Sequence, residues 1–154
     1  MISPQPFGAA ADFKLSITQA LADQLAARLQ PLRPASLTEN SFQHVENRPG
    51  VYELFLADQR VYVGKASRSL PARLRTHARK LSGRTGLSLA TMSFICLYVD
   101  EDLDAASPET LLIKKYRGMG GSPWNTNGFG NKDPGRRRDT SEITADHFDA
   151  LYPN

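Results

Sequence analysis

Apolar residues recur at two different periods along this chain, and the switches between them lay out its elements. Residues 16–29 (SITQALADQLAARL) place Ile17, Leu21, Leu25 and Leu29 four apart, with Ser16 where a helix cap belongs. The spacing predicts a helix. Residues 30–47 carry Pro31 and Pro34 and read as a connector. Residues 50–64 (GVYELFLADQRVYVG) hold two short runs rich in Val, Tyr and Phe, which predict an antiparallel pair of strands. Ser69 and Pro71 open a second helix over residues 70–81, with Leu70, Leu74, Ala78 and Leu81 as its apolar stripe. Residues 91–99 (TMSFICLYV) are apolar on both alternating faces and predict a buried strand. Ser107-Pro108 starts a third helix running to about Arg117. A long Gly-, Asn- and Pro-rich loop follows over residues 118–140, and a last short helix spans about residues 144–152.

This order predicts an α+β fold, a small three-stranded antiparallel sheet flanked by helices. The chain divides into an N-terminal helical flank (1–47), a core (48–127), and a C-terminal loop plus helix packed on that core (128–154). A chain of 154 residues is long enough for one domain with a real core. Its single cysteine, Cys96, excludes an internal disulfide or a multi-cysteine zinc site and reads as a small core residue. No run approaches the roughly 18 apolar residues of a membrane span, so no membrane partner is expected. Residues 1–11 lack a basic start followed by an apolar block, and the expected compartment is the cytoplasm.

Charge changes the picture. The net charge is only +3, yet no Asp or Glu occurs from Arg60 to Val99. That window holds Arg60, Lys65, Arg68, Arg73, Arg75, Arg79, Lys80, Arg84 and His77. Such a block is the footprint of a phosphate-backbone binder, and it fits a solvated basic helix equally well.

Several side chains then become candidates for chemistry. A three-residue turn at Ala57-Asp58-Gln59 would set Leu54 opposite Tyr62 and put Tyr52 and Tyr62 on one face, whereas a two-residue turn would separate them. Read alone, both are core aromatics. Arg73 and His77, four apart, lie side by side at the edge of the helical stripe, while Arg75 and Arg79 point to solvent. Glu109 falls within the stripe of Leu112, Ile113 and Tyr116, where a carboxylate needs a cation, a metal ion or the helix N–H groups. Asn125 lies in the Gly-rich loop, and Asn there is usually a turn residue. A tyrosine base, Arg73 on the developing charge and a metal on Glu109 together would suit phosphodiester cleavage.

GVY followed about ten residues on by VYVG, then Arg and His four apart on a helix, then Glu, then Asn, resembles the GIY-YIG nuclease superfamily. The likeness covers about residues 49–127. GFGNKDPG, with Pro123-Trp124-Asn125 before it, looks like the type II restriction endonuclease branch. The resemblance implies a metal-dependent DNA endonuclease using one Mg2+ (or Mn2+) ion per site. It implies Tyr52 or Tyr62 as general base, with Tyr52 preferred, and Arg73 on the scissile phosphate. It further implies His77 assisting the base or positioning water, Glu109 as metal ligand, Asn125 orienting the site and Lys65 touching the phosphate. Arg68, Arg75, Arg79, Lys132, Arg136, Arg137 and Arg138 are the expected contacts to double-stranded DNA. Val51 and Val63 stand where the motifs carry isoleucine, and the segment between the motifs is short. Specificity would then come from the N-terminal flank, the Gly-rich loop and a partner subunit, a homodimer suiting a two-fold symmetric site. The alternatives are a less specific DNase, such as an antibacterial toxin or repair nuclease, and a non-catalytic DNA-binding module on the same fold.

Overall fold

In a computed structural model, which describes residues 7–99, 108–127, 129 and 145–153, the elements follow that order with two additions. They are α1 (Ile17–Leu29), β1 (Ala35–Ser36), α2 (Glu39–Phe42), β2 (Gly50–Leu56) and β3 (Gln59–Ala66). Then come α3 (Leu70–Leu81), β4 (Met92–Tyr98), α4 (Pro108–Tyr116) and α5 (Ala145–Leu151). The sheet is antiparallel with order β1-β4-β2-β3, so it has four strands rather than three. The extra strand, β1, is only two residues long and follows Pro34, too short for any alternation to mark it. Short α2 likewise lies inside the stretch read as a connector.

Local chemistry accounts for the helix starts. The Ser69 hydroxyl accepts from the Ala72 N–H and Pro71 fills the first turn, so α3 has the bounds that its cap and stripe predict. Ser16 caps α1 by accepting from the Gln19 N–H. The α1 stripe is a correction, however: Ile17 is 66% exposed, and only Ala22 and Leu29 are buried. Helix α1 meets α4 and β4, and its buried positions are Ala22, near its middle, and Leu29 at its end.

The sheet separates two apolar layers. On one face Tyr52, Leu54, Val61 and Tyr62 pack with Leu70, Leu74 and Leu81 of α3 and with Trp124, Phe129 and Phe148. On the other, Val51, Val63 and Ile95 pack with Leu29 of α1 and with Leu112 and Tyr116 of α4. These are called the α3 face and the α4 face below. No helix among the described residues is long and apolar enough to cross a membrane.

Candidate active site

The site begins with a register. The hairpin turn is Ala57-Asp58, two residues and not three, with Leu56 opposite Gln59 and Ala57 at φ 53°. Continued unbroken, that pairing would oppose Tyr62 to Glu53 and turn the two tyrosines to opposite faces. A β-bulge between Leu54 and Phe55 on β2 takes up Val61 on β3 and restores Leu54 opposite Tyr62 and Tyr52 opposite Gly64. The expected shared face is therefore real, reached through a shorter turn and an extra residue.

Gly64 then makes room. A Cβ there would stand 2.3 Å from both Cζ and Oη of Tyr52 and 2.8 Å from the Tyr62 ring. The phenol lies across the backbone of β3, which only glycine permits. Tyr52 and Tyr62 sit with ring centroids 6.1 Å apart, and the His77 imidazole lies 5.4 Å from the first and 5.3 Å from the second. The Tyr52 hydroxyl and His77 Nε2 are 2.5 Å apart. With the imidazole neutral and protonated at Nδ1, Nε2 accepts from the phenol. His77 is 0% exposed, so it belongs to the buried stripe of α3 and not to its edge.

The site has a roof that sequence reasoning missed. Phe129 is fully buried, stacks on His77 at 4.9 Å and 24°, and meets Tyr62 edge-on at 4.9 Å. Lys80, one turn beyond Thr76 on α3, donates its ammonium to the Phe129 carbonyl and lies 4.5 Å from the ring centroid. Phe129 stands in the Gly-rich loop, where no periodicity marks a buried position.

Asn125 binds the edge strand. Its Oδ1 accepts from the Val63 N–H and its Nδ2 donates to the Val63 carbonyl, both at 2.8 Å. The side-chain amide thus continues the ladder beyond β3 and holds the loop against the strand that carries Tyr62. Arg73 is half-buried one turn before His77. Lys65 pairs with Val51 in register and so lies on the α4 side of β3. Glu109, half-buried, lies in the first turn of α4, on that same side. The two layers meet at the edge strand β3, which touches α3, α4 and the Asn125 turn.

The basic window is less open than its composition suggests. Arg60 is bound to Glu53, Arg75 to Glu39 through three hydrogen bonds, and Arg84 to Asp149. Its charge-assisted bond to Glu39 holds Arg75 further above its ordinary value and the Glu39 carboxyl below its own. Arg68 and Arg79 are exposed. Lys132 and Arg136, Arg137 and Arg138 lie outside the described residues, as does the Ser107 cap. Cys96 is partly buried, and burial raises its thiol to about 11, which suits a packing role.

The comparison with known families decides the relationship. Residues 56–153 match the Eco29kI GIY-YIG domain. The chain belongs to that family. It is a restriction-endonuclease type of GIY-YIG domain, so the chain carries a nuclease domain. The match takes in Tyr62, Arg73, His77, Glu109, Asn125 and Phe129, and its extension to residue 153 covers the GFGNKDPG segment. It begins four residues after Tyr52, which joins the site through the hairpin register. No curated protein matches the chain.

Proposed function

We propose that this GIY-YIG nuclease is a metal-dependent DNA endonuclease of the type II restriction kind. The observation that carries the reading is the buried Tyr52–His77 hydrogen bond beside Tyr62. A phenol whose proton has a ready acceptor can take a proton from an attacking water while passing its own to the imidazole. The new P–O bond forms from that water as the bond to the leaving oxygen breaks. Arg73, one helical turn from His77, is suited to the charge that builds on the phosphate.

Glu109 would hold the metal. Among the described residues no three His, Cys, Asp or Glu side chains cluster as a metal site. A lone carboxylate donor suits Mg2+ or Mn2+, which keep most of their waters, and does not suit zinc. The ion would neutralise phosphate charge. Asn125 acts by holding β3 in place. We read the enzyme as cytoplasmic and as acting on duplex DNA, with a homodimer supplying two sites for two strands.

A second reading has one observation in its favour. Tyr52, Tyr62 and His77 are 0%, 1% and 0% exposed, so a phosphate reaches them only after a neighbour is displaced. A DNA-binding module that kept the fold would need no such opening. Incubating the protein with plasmid and phage DNA, with magnesium and with EDTA, separates the readings. Discrete metal-dependent bands are expected. A metal-dependent smear would indicate a less specific DNase. DNA binding without cleavage in any of several divalent metals would sink the catalytic reading.

A further inference from the structure

A buried charge on the α4 face has no part in the reaction described above. Glu53 is 1% exposed and sits mid-strand between Tyr52 and Leu54. Its Oε1 accepts from Arg60 Nε at 2.8 Å, and its Oε2 accepts from the Tyr116 hydroxyl at 2.7 Å. The Arg60 guanidinium lies over the Tyr116 ring, 3.6 Å from its centroid. Three residues from β2, β3 and α4 thus close one ring of contacts. Burial, then the Glu53 charge and the hydrogen bond to it, push the Tyr116 phenol well above its ordinary value, so it stays a donor.

The position of this ring along the hairpin matters. Arg60 pairs with Phe55 on the turn side of the bulge, and Glu53 pairs with Val63 on the far side. The Glu53–Arg60 bridge therefore straddles the bulge. The two-residue turn alone favours an unbroken pairing, in which Glu53 would face Tyr62 and Tyr52 would face Val63. Both registers bury valines and a tyrosine, so apolar patterning discriminates between them weakly. Buried charge is a better selector of register than of stability.

We propose that Glu53, Arg60 and Tyr116 form a register lock that holds the bulge at Val61 and thereby keeps Tyr62 on the face of Tyr52 and His77. They are positioning residues, and their link to catalysis rests on the nuclease reading. Because Tyr116 lies on the helix that carries Glu109, the same lock seats α4 against the hairpin.

The test replaces all three polar groups by apolar ones of similar size, Glu53→Leu, Arg60→Met and Tyr116→Phe together. No polar group is then stranded, and such replacements commonly keep or raise stability. With the fold kept, the triple variant should show two sets of β2–β3 cross-strand NOEs in NMR, and the Tyr62–His77 ring NOE should weaken. Cleavage should fall about tenfold or more in kcat with KM little changed, since a slipped strand removes Tyr62 from the site. One register, an intact Tyr62–His77 contact and unchanged kcat would overturn the lock. If the triple variant does not fold, Tyr116→Phe decides: a minor second register supports the lock, and a lowered Tm with a single register overturns it. The NMR readout stands even if the wild-type protein cuts no DNA, so the two readings fail separately.

Discussion

On the α3 face of the hairpin, Tyr52 hydrogen-bonds to an imidazole; on the α4 face, Tyr116 donates to a carboxylate. Both bonds are buried and both join a strand to a helix, yet they do opposite things to the phenol. A full negative charge beside Tyr116 keeps its proton on, which makes it a structural donor. An imidazole nitrogen beside Tyr52 offers the proton somewhere to go when the ring is neutral. The α4 face balances its buried Glu53 with Arg60. On the proposed reading, the reactive and the structural tyrosine differ in what accepts their proton, not in burial, which they share.

The sharpest break of this comparison is Tyr52→Phe. Losing the hydroxyl should cost cleavage about 10²–10⁴-fold, the range of a removed general base. Tyr62→Phe should cost less if Tyr52 is the base, and pH–rate profiles of the two variants check it. Full activity in both would end the tyrosine-base idea. Gly64→Ala comes next. Its Cβ would overlap the Tyr52 ring, so the ring or the strand must shift, at about 1–3 kcal/mol. Urea unfolding should show a lower midpoint, and activity should fall with it because the displaced ring is Tyr52 itself.

How far such statements could be read from sequence depends on the residue. Helix α3 is legible to the residue because a serine cap, a proline in the first turn and an apolar stripe all agree. The shared face of Tyr52 and Tyr62 was legible, and the turn behind it was not. A left-handed alanine and a bulge at a valine carry none of the glycine or asparagine signals that mark tight turns. Glu53 had a signal that went unused: an acid inside GVYELFL, apolar on both sides, with Arg60 waiting on the next strand. Phe129 had none, since its place is set by His77 and Tyr62 from distant elements. The positive window misled in part because composition does not show that Glu39, Glu53 and Asp149 reach back to it.

Tyr116→Phe sharpens the α4 side of the comparison through pH. Its folded phenol lies well above the ordinary value near 10, so the protonated form is the one the fold favours. The stability it contributes is fully present below pH 10 and is lost as pH rises toward the folded value. Thermal unfolding of the wild type should weaken above about pH 10, and the Phe variant should show a shallower loss over the same range. Equal slopes would mean that Tyr116 titrates as it does in the unfolded chain.

The smallest expected effect concerns charge at the surface of α3, the helix that also brings His77 to the site. Arg75 is held by Glu39 in an exposed pair, and exposed pairs contribute little stability. Glu39→Gln should therefore leave Tm nearly unchanged. It should nonetheless release a guanidinium for phosphate on the same helix as Arg73 and Arg79. If DNA passes along α3, the plot of log K against log salt should steepen by about 0.9, the contribution of one further phosphate contact. An unchanged slope would place Arg75 off the DNA path. Arg79→Gln is the control: Arg79 is already exposed, so removing it should flatten the plot by a similar amount. Opposite changes from the two variants would trace the DNA along α3 and onto the α3 face of the sheet, on the side where Tyr52 and His77 lie.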